Sequence, residues 1–302
     1  MKNKSAETKS KSLPGLTGHW ISRAVCLGAV IVTCSSALAQ NLYVSGMDAS
    51  GGKISSFTWD GLESTFASGL RQPQGLAFDG AGNLYVADYG TSIAGSVIYK
   101  YTPDGARSIF AAGLESPVGM AFDGAGTLFV SDSDSGTIYM IKANGARSTF
   151  ASGLRHPQGL AFDSTGNLYV ADYGTSIAGS IIYEYKPKGV RSIFASGLDR
   201  PIGLAFDIAG KLYVSDYDSG KIYEYKPSGA RGTFASGFAG PVGLAFDNGS
   251  NLYVADSSAG VIYKITPLGV KSILGPNGTD GSNESFLFLA VKPAITLPPP
   301  AP

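Results

Sequence analysis

From Gly75 the chain runs Leu-Ala-Phe, turns at Asp79-Gly-Ala-Gly-Asn83, and runs again through Leu84-Tyr-Val-Ala to Asp88. A longer polar stretch leads to Val97-Ile-Tyr-Lys-Tyr101, and Thr102-Pro-Asp-Gly105 then turns the chain into Ala106-Arg-Ser-Ile-Phe-Ala111. Short apolar runs rich in Val, Ile, Tyr and Phe, each bounded by Gly, Pro, Asn or Asp, read as strands and not as helices. The pattern predicts four strands, a to d, within residues 75–111.

The unit recurs along the chain. LYV stands at 42–44, 84–86, 168–170, 212–214 and 252–254, and LFV at 128–130, so that six copies lie 40 to 44 residues apart. Self-similarity at this period predicts an all-β fold, a six-bladed β-propeller of four-stranded antiparallel blades spanning residues 40–293. Strands a to c are almost continuously apolar, as expected when both faces of a blade are covered by its neighbours. Strand d carries Arg107 and Ser108 and reads as an exposed edge. The Asp that closes each AFD triplet (79, 123, 163, 207 and 247) is predicted to cap the a–b turn, since five units repeat it in the same turn.

The first LYV belongs to a strand b, so blade 1 lacks its innermost strand. Residues 284–293, which include Leu289-Ala-Val291, are predicted to return and supply it, removing the open sheet edge. The Pro-rich residues 294–302 are expected to be a disordered tail.

Residues 1–39 break the pattern. Lys2, Lys4, Lys9, Lys11 and Arg23 precede the apolar run Ala24–Val32, and Ala37-Leu-Ala39 follows. This is the layout of a secretory signal peptide, with a run too short for a comfortable permanent span. The expectation is a secreted or periplasmic protein with no transmembrane segment after cleavage. Removing five basic residues and Glu7 leaves 18 basic and 22 acidic residues, a net charge of −4, which argues against a nucleic-acid partner. Both cysteines, Cys26 and Cys34, leave with the signal, so neither disulfides nor thiolate chemistry is expected in the mature chain.

The string P-x-G-L-A-F-D-x-x-G-N-L-Y-V-A-D, at Pro73–Asp88 and Pro157–Asp172, resembles the NHL repeat. It is also similar to the wider six-bladed group of streptogramin lyases and gluconolactonases (the SMP-30 type). The resemblance covers nearly the whole mature chain and implies the propeller fold. It also implies divalent-metal chemistry in the enzymatic members, through histidines in the lyases and through Glu, Asn and Asp near the channel in gluconolactonase-like enzymes. Here the mature chain has a single histidine, His156, and only Asn41 and Met47-Asp48 stand where a blade 1 glutamate would be.

Antiparallel strands put the d–a and b–c loops on one face of the ring. There Arg71-Gln-Pro-Gln74 of blade 2 matches Arg155-His-Pro-Gln158 of blade 4, beside the long b–c loops that begin at Tyr89 and Tyr173. Blade 5 adds Arg200. The expected ligand-binding residues are therefore Arg71, Gln74, Tyr89, Arg155, His156, Gln158, Tyr173 and Arg200: arginines for a carboxylate or phosphate, glutamines at the channel mouth, and tyrosines as a stacking surface. A recent duplication also accounts for the match, because residues 65–111 and 149–195 agree at 39 of 47 positions.

Asp132-Ser-Asp-Ser-Gly136 and Asp216-Tyr-Asp-Ser-Gly220 open like calcium loops but lack the downstream glutamate, and turn chemistry explains them better. No resident cofactor and no catalytic set are expected, with Ca or another divalent ion as the minor alternative. The reading is an exported, monomeric binding or scaffold module for a peptide, glycan or protein partner on the b–c/d–a face. A divergent metal-dependent lactonase or lyase is the alternative.

Overall fold

In the computed structural model, residues 41–90, 95–174, 179–275 and 285–293 are described. The signal-peptide and tail assignments lie outside these residues. The described chain folds into six four-stranded antiparallel sheets. Blade 2 has strands Pro73–Phe78, Leu84–Asp88, Ser96–Tyr101 and Arg107–Leu114, and blades 3 to 6 repeat that order. Among the described residues no helix is long and apolar enough to cross a membrane.

Closure occurs as the sequence predicts. Ser285–Val291 pairs antiparallel with Leu42–Asp48, with Leu42 opposite Val291 and Val44 opposite Leu289, and becomes strand a of blade 1. Leu289 packs with Leu42, Val44 and Phe57 of its own blade and with Ala245 and Tyr253 of blade 6, so the chain's two ends close one core. In blade 1 the b–c connection is tight: Asp48 pairs with Gly51, and two seven-residue strands make a long hairpin.

One aromatic joint repeats between blades. Tyr85 of strand b meets Phe110 of its own strand d at 4.8 Å and Phe122 of the next blade's strand a at 5.0 Å, both edge to face. Tyr43, Phe129, Tyr169 and Tyr213 make the same pair of contacts. At the last joint Tyr253 meets Trp59 of blade 1 at 5.1 Å. Each such pair contributes about 0.5–1.5 kcal/mol beyond its buried area, which distributes adhesion evenly round the ring.

The AFD aspartates cap their turns as expected. Asp79 Oδ1 accepts the amide hydrogens of Ala81 (3.0 Å) and Asn83 (2.9 Å), and Asp123, Asp163 and Asp207 repeat the pair. At Asp163 burial pushes the carboxyl up, but donors from Asn167 and Thr165 outweigh it and hold it below its ordinary range. A turn role explains these residues fully.

Strand a lines the channel. A Cβ at Gly75, Gly119, Gly159 or Gly203 would meet the next blade's backbone carbonyl oxygen at 2.1–2.3 Å, so these glycines set how closely the innermost strands approach. Below the mouth these strands enclose a small central cavity of about 150 Å³. A second pattern has a period of two blades. Ser45, Ser131 and Ser215 accept the strand a amide hydrogens of Phe288, Gly119 and Gly203, while blades 2, 4 and 6 carry Ala87, Ala171 and Ala255 there.

Candidate functional site

The b–c/d–a face is held by buried aspartates at the ends of the b strands. Asp88 accepts the amide hydrogens of Arg71 and Gln72, Asp132 those of Glu115 and Ser116, and Asp172 those of Arg155 and His156. Asp216 does the same for Asp199 and Arg200, and Asp256 for Ala239 and Gly240. All five are at most 4% exposed. Blade 1 has Gly46 at this position. Burial raises the Asp172 carboxyl above its ordinary range, and the amide donors of Arg155 and His156 oppose that rise.

A second clamp completes the joint. The first residue of each b–c loop donates its amide hydrogen to the d–a loop: Tyr89 to Gln72, Tyr173 to His156, and Tyr217 to Arg200. The backbones that carry the expected ligand-binding residues are thus fixed to the blades.

The side chains fall into separate groups. Arg71 and Tyr89 line a shallow cavity of about 460 Å³ with Met47, Gly51, Leu70 and Gln72, at the junction of blades 1 and 2. Gln74 Nε2 reaches back to the Gln72 carbonyl at 3.5 Å. Gln158 bridges blades, donating to Ser133 Oγ (3.0 Å) and to the His156 carbonyl (3.3 Å), so its amide is already engaged within the protein.

Blades 4 and 5 form a row. The His156 and Tyr173 rings are 5.8 Å apart, and the Arg200 guanidinium lies over Tyr173 at 5.1 Å and over Tyr217 at 4.9 Å. Tyr217 then shares a hydrogen bond of 2.9 Å with Ser258 of blade 6. Arg155 is exposed beside this row. Tyr173 does not offer the open stacking surface expected of it, because Arg200 covers one side and His156 flanks it.

Tyr217 and Ser258 escaped the sequence reading. The signal was present, since Tyr217 follows LYVSD as Tyr89 and Tyr173 follow LYVAD. Reading Asp216–Gly220 only as a turn concealed it.

Tyr217 also borders a closed channel mouth. Val118, Ile202, Val242 and Phe288 pack together there, each at most 9% exposed, with Tyr217 and Leu287 against them. Phe288 occupies the strand a position where blades 2 to 6 have glycine.

Residues 2–216 match the family model described as the SMP-30/gluconolactonase/LRE-like region. The chain belongs to this family. No curated protein matches the chain. Among solved structures, one of a nidogen/laminin complex is similar at 22% identity and a TM-score of 0.74, covering 84% of this chain and 99% of that one. Virginiamycin B lyase from Staphylococcus aureus is similar at 16% identity and a TM-score of 0.55, covering 68% and 71%. A streptogramin B lyase shares 14% identity at a TM-score of 0.56, covering 79% and 75%. At these identities the likeness is one of fold alone.

In an SMP-30/gluconolactonase/LRE-like chain, the channel mouth is where a divalent ion would be sought. The residues here do not fit one. Among the described residues no three His, Cys, Asp or Glu side chains converge as ligands. The mouth is apolar, and the buried carboxylates around it accept backbone amide hydrogens. Asp132 and Asp216, which open the two calcium-like stretches, are both committed to their d–a loops.

Proposed function

We propose that the protein is an exported binding module whose b–c/d–a face recognises a partner at the row His156, Tyr173, Arg200 and Tyr217. One observation carries this reading: a partly exposed guanidinium lies over two tyrosine rings beside a closed channel mouth. Contact with two rings restrains a long, rotamer-rich side chain before any ligand arrives, which lowers the ordering cost of binding. Arg and Tyr are the residue types that most often dominate interface energies. The signal-like segment at residues 1–39 supports export to a secreted or periplasmic location. A peptide, glycan or protein partner fits such a surface.

The test uses a random dodecapeptide display library and a glycan array, presented to the wild-type protein and to an Arg155→Ala/Tyr173→Ala/Arg200→Ala variant. Selected ligands are expected to lose at least about 100-fold in affinity for the variant, the scale of two hot-spot residues. Its melting temperature should stay within a few degrees, because all three side chains lie at the surface. Ligands that bind both proteins equally would move the site elsewhere.

Family membership favours a second reading, a divergent lactonase or lyase. Chelator-sensitive lactone hydrolysis by the purified protein, with stoichiometric bound metal, would establish it in place of the binding module. Among the described residues no converging donor set is present to support that chemistry.

A further inference from the structure

The Arg200 guanidinium lies over two tyrosine rings, that of Tyr173 at 5.1 Å and that of Tyr217 at 4.9 Å. Its N–H donors lie in the plane of the group as a rigid fork. Among the described residues, the acceptor facing those donors is Asp218 Oδ1, 4.0 Å from Nη1, beyond hydrogen-bond length. The Arg200 side chain is 41% exposed and that of Asp218 is 54% exposed, so the pairing is loose and screened. A planar fork of donors is thus anchored against two rings, with no hydrogen-bonded acceptor among the described residues.

Resting on the binding face proposed above, we infer that this fork takes a carboxylate of an acidic peptide segment. Two coplanar N–H groups match the two oxygens of a carboxylate, the strongest geometry available to arginine. Arg155, an exposed cation on the neighbouring d–a loop of blade 4, adds positive charge to this face. A sugar ring is disfavoured because it needs an open aromatic face. Tyr173 lies between Arg200 and His156, and Tyr217 has Arg200 on one side and the apolar mouth beside it. An extended peptide can pair its backbone groups with hydroxyls. Blade 6 and the closing strand supply Ser257, Ser258 and Ser285 next to the row, with Ser257 and Ser285 sharing a hydrogen bond of 2.8 Å.

The readout is the composition of the dodecapeptides selected on the wild-type protein, together with their affinity for single variants. Acidic oligogalacturonides serve as the sugar arm. Selected peptides should be enriched several-fold in Asp and Glu over the input library and should bind Arg200→Lys at least tenfold more weakly, although charge is retained. Asp218→Asn, which removes the competing carboxylate, should bind them several-fold more tightly, and Arg147→Lys on the outer edge should leave binding unchanged. Peptides without acidic enrichment that still need Tyr173 and Tyr217 would overturn the carboxylate assignment and leave the binding face intact. Oligogalacturonides binding through Arg200, with no acidic peptide selected, would overturn the peptide assignment. Ligands indifferent to every residue of the row would overturn both the inference and the face on which it rests.

Discussion

Removal of residues 284–302 is expected to yield a protein that aggregates or melts without a cooperative transition. The physical reason lies in what Ser285–Val291 touches. Leu289 is 7% exposed and Phe288 9% exposed, the first inside the blade 1–blade 6 core and the second inside the apolar channel mouth. Truncating one buried Leu or Phe costs about 2–5 kcal/mol, so losing both already approaches the 5–15 kcal/mol that stabilises a typical domain. The deletion also strips the backbone partners from Leu42–Asp48 and opens an apolar edge, which invites pairing with other chains. Ser45 would lose its bond to the Phe288 amide. The measurement is a thermal melt by circular dichroism with light scattering alongside. Leu289→Ala should remain soluble and melt lower by roughly 2–4 kcal/mol, separating loss of packing from loss of closure. A truncated protein with a normal, reversible melt would show that the ring closes by other means.

Closure was legible from the chain because of a mismatch in bookkeeping at its two ends: a first unit that starts on strand b and an apolar run left over after the sixth. The AFD turns were equally legible, since a carboxylate two residues before a Gly-containing turn has one favoured use. Phe288 was not. Strand a of blade 1 comes from the far end of the sequence and has lost the P-x-G-L-A-F-D pattern, so nothing marks Phe288 as standing in a glycine position until the register with Gly46 and Val44 is seen. That one residue changes the site, because an apolar cluster closes the place where the glutamines were expected to meet a ligand.

The matching loops of blades 2 and 4 share a face, but the ring separates them by a blade. Gln158 turns sideways to Ser133 of blade 3, and Arg71 and Tyr89 line a cavity with blade 1. Likeness in sequence does not bring loops together. What assembles the row is adjacency of blades 4, 5 and 6, which joins Arg200 of blade 5 to Tyr173 from the b–c loop of blade 4 and to Tyr217 from that of its own blade, with Ser258 of blade 6 beyond. The two-blade alternation of Ser45, Ser131 and Ser215 with Ala87, Ala171 and Ala255 extends the duplication read from blades 2 and 4 to the whole ring. The near-identity of blades 2 and 4 therefore carries little functional information, and the departures from the repeat carry more.

The buried aspartates at the ends of the b strands connect fold to site, and Asp216 tests that connection. Asp216→Ala is expected to destabilise the protein by about 2–4 kcal/mol, because it leaves the amide hydrogens of Asp199 and Arg200 without acceptors and each orphaned group costs about 1–3 kcal/mol. For a domain of this size the melting temperature should fall by roughly 5–15 °C. In the native protein those amides lie 3.0 and 2.8 Å from Asp216 Oδ2 and Oδ1, and the residue is 1% exposed, so water cannot replace the carboxylate without local opening. Asp216→Asn offers one acceptor but turns a donor toward the other amide, so it recovers only part of the loss. Asp218→Ala, two residues away but exposed, should stay within about 0.5 kcal/mol of wild type. Urea unfolding gives the magnitudes, and hydrogen exchange at residues 199 and 200 gives the location. If exchange rises there while the outer blades are unaffected, Asp216 holds the backbone that aims Arg200 over its two tyrosines, and ligand binding should weaken with it. Uniformly faster exchange round the ring would instead make Asp216 a general stabiliser with no special hold on the site.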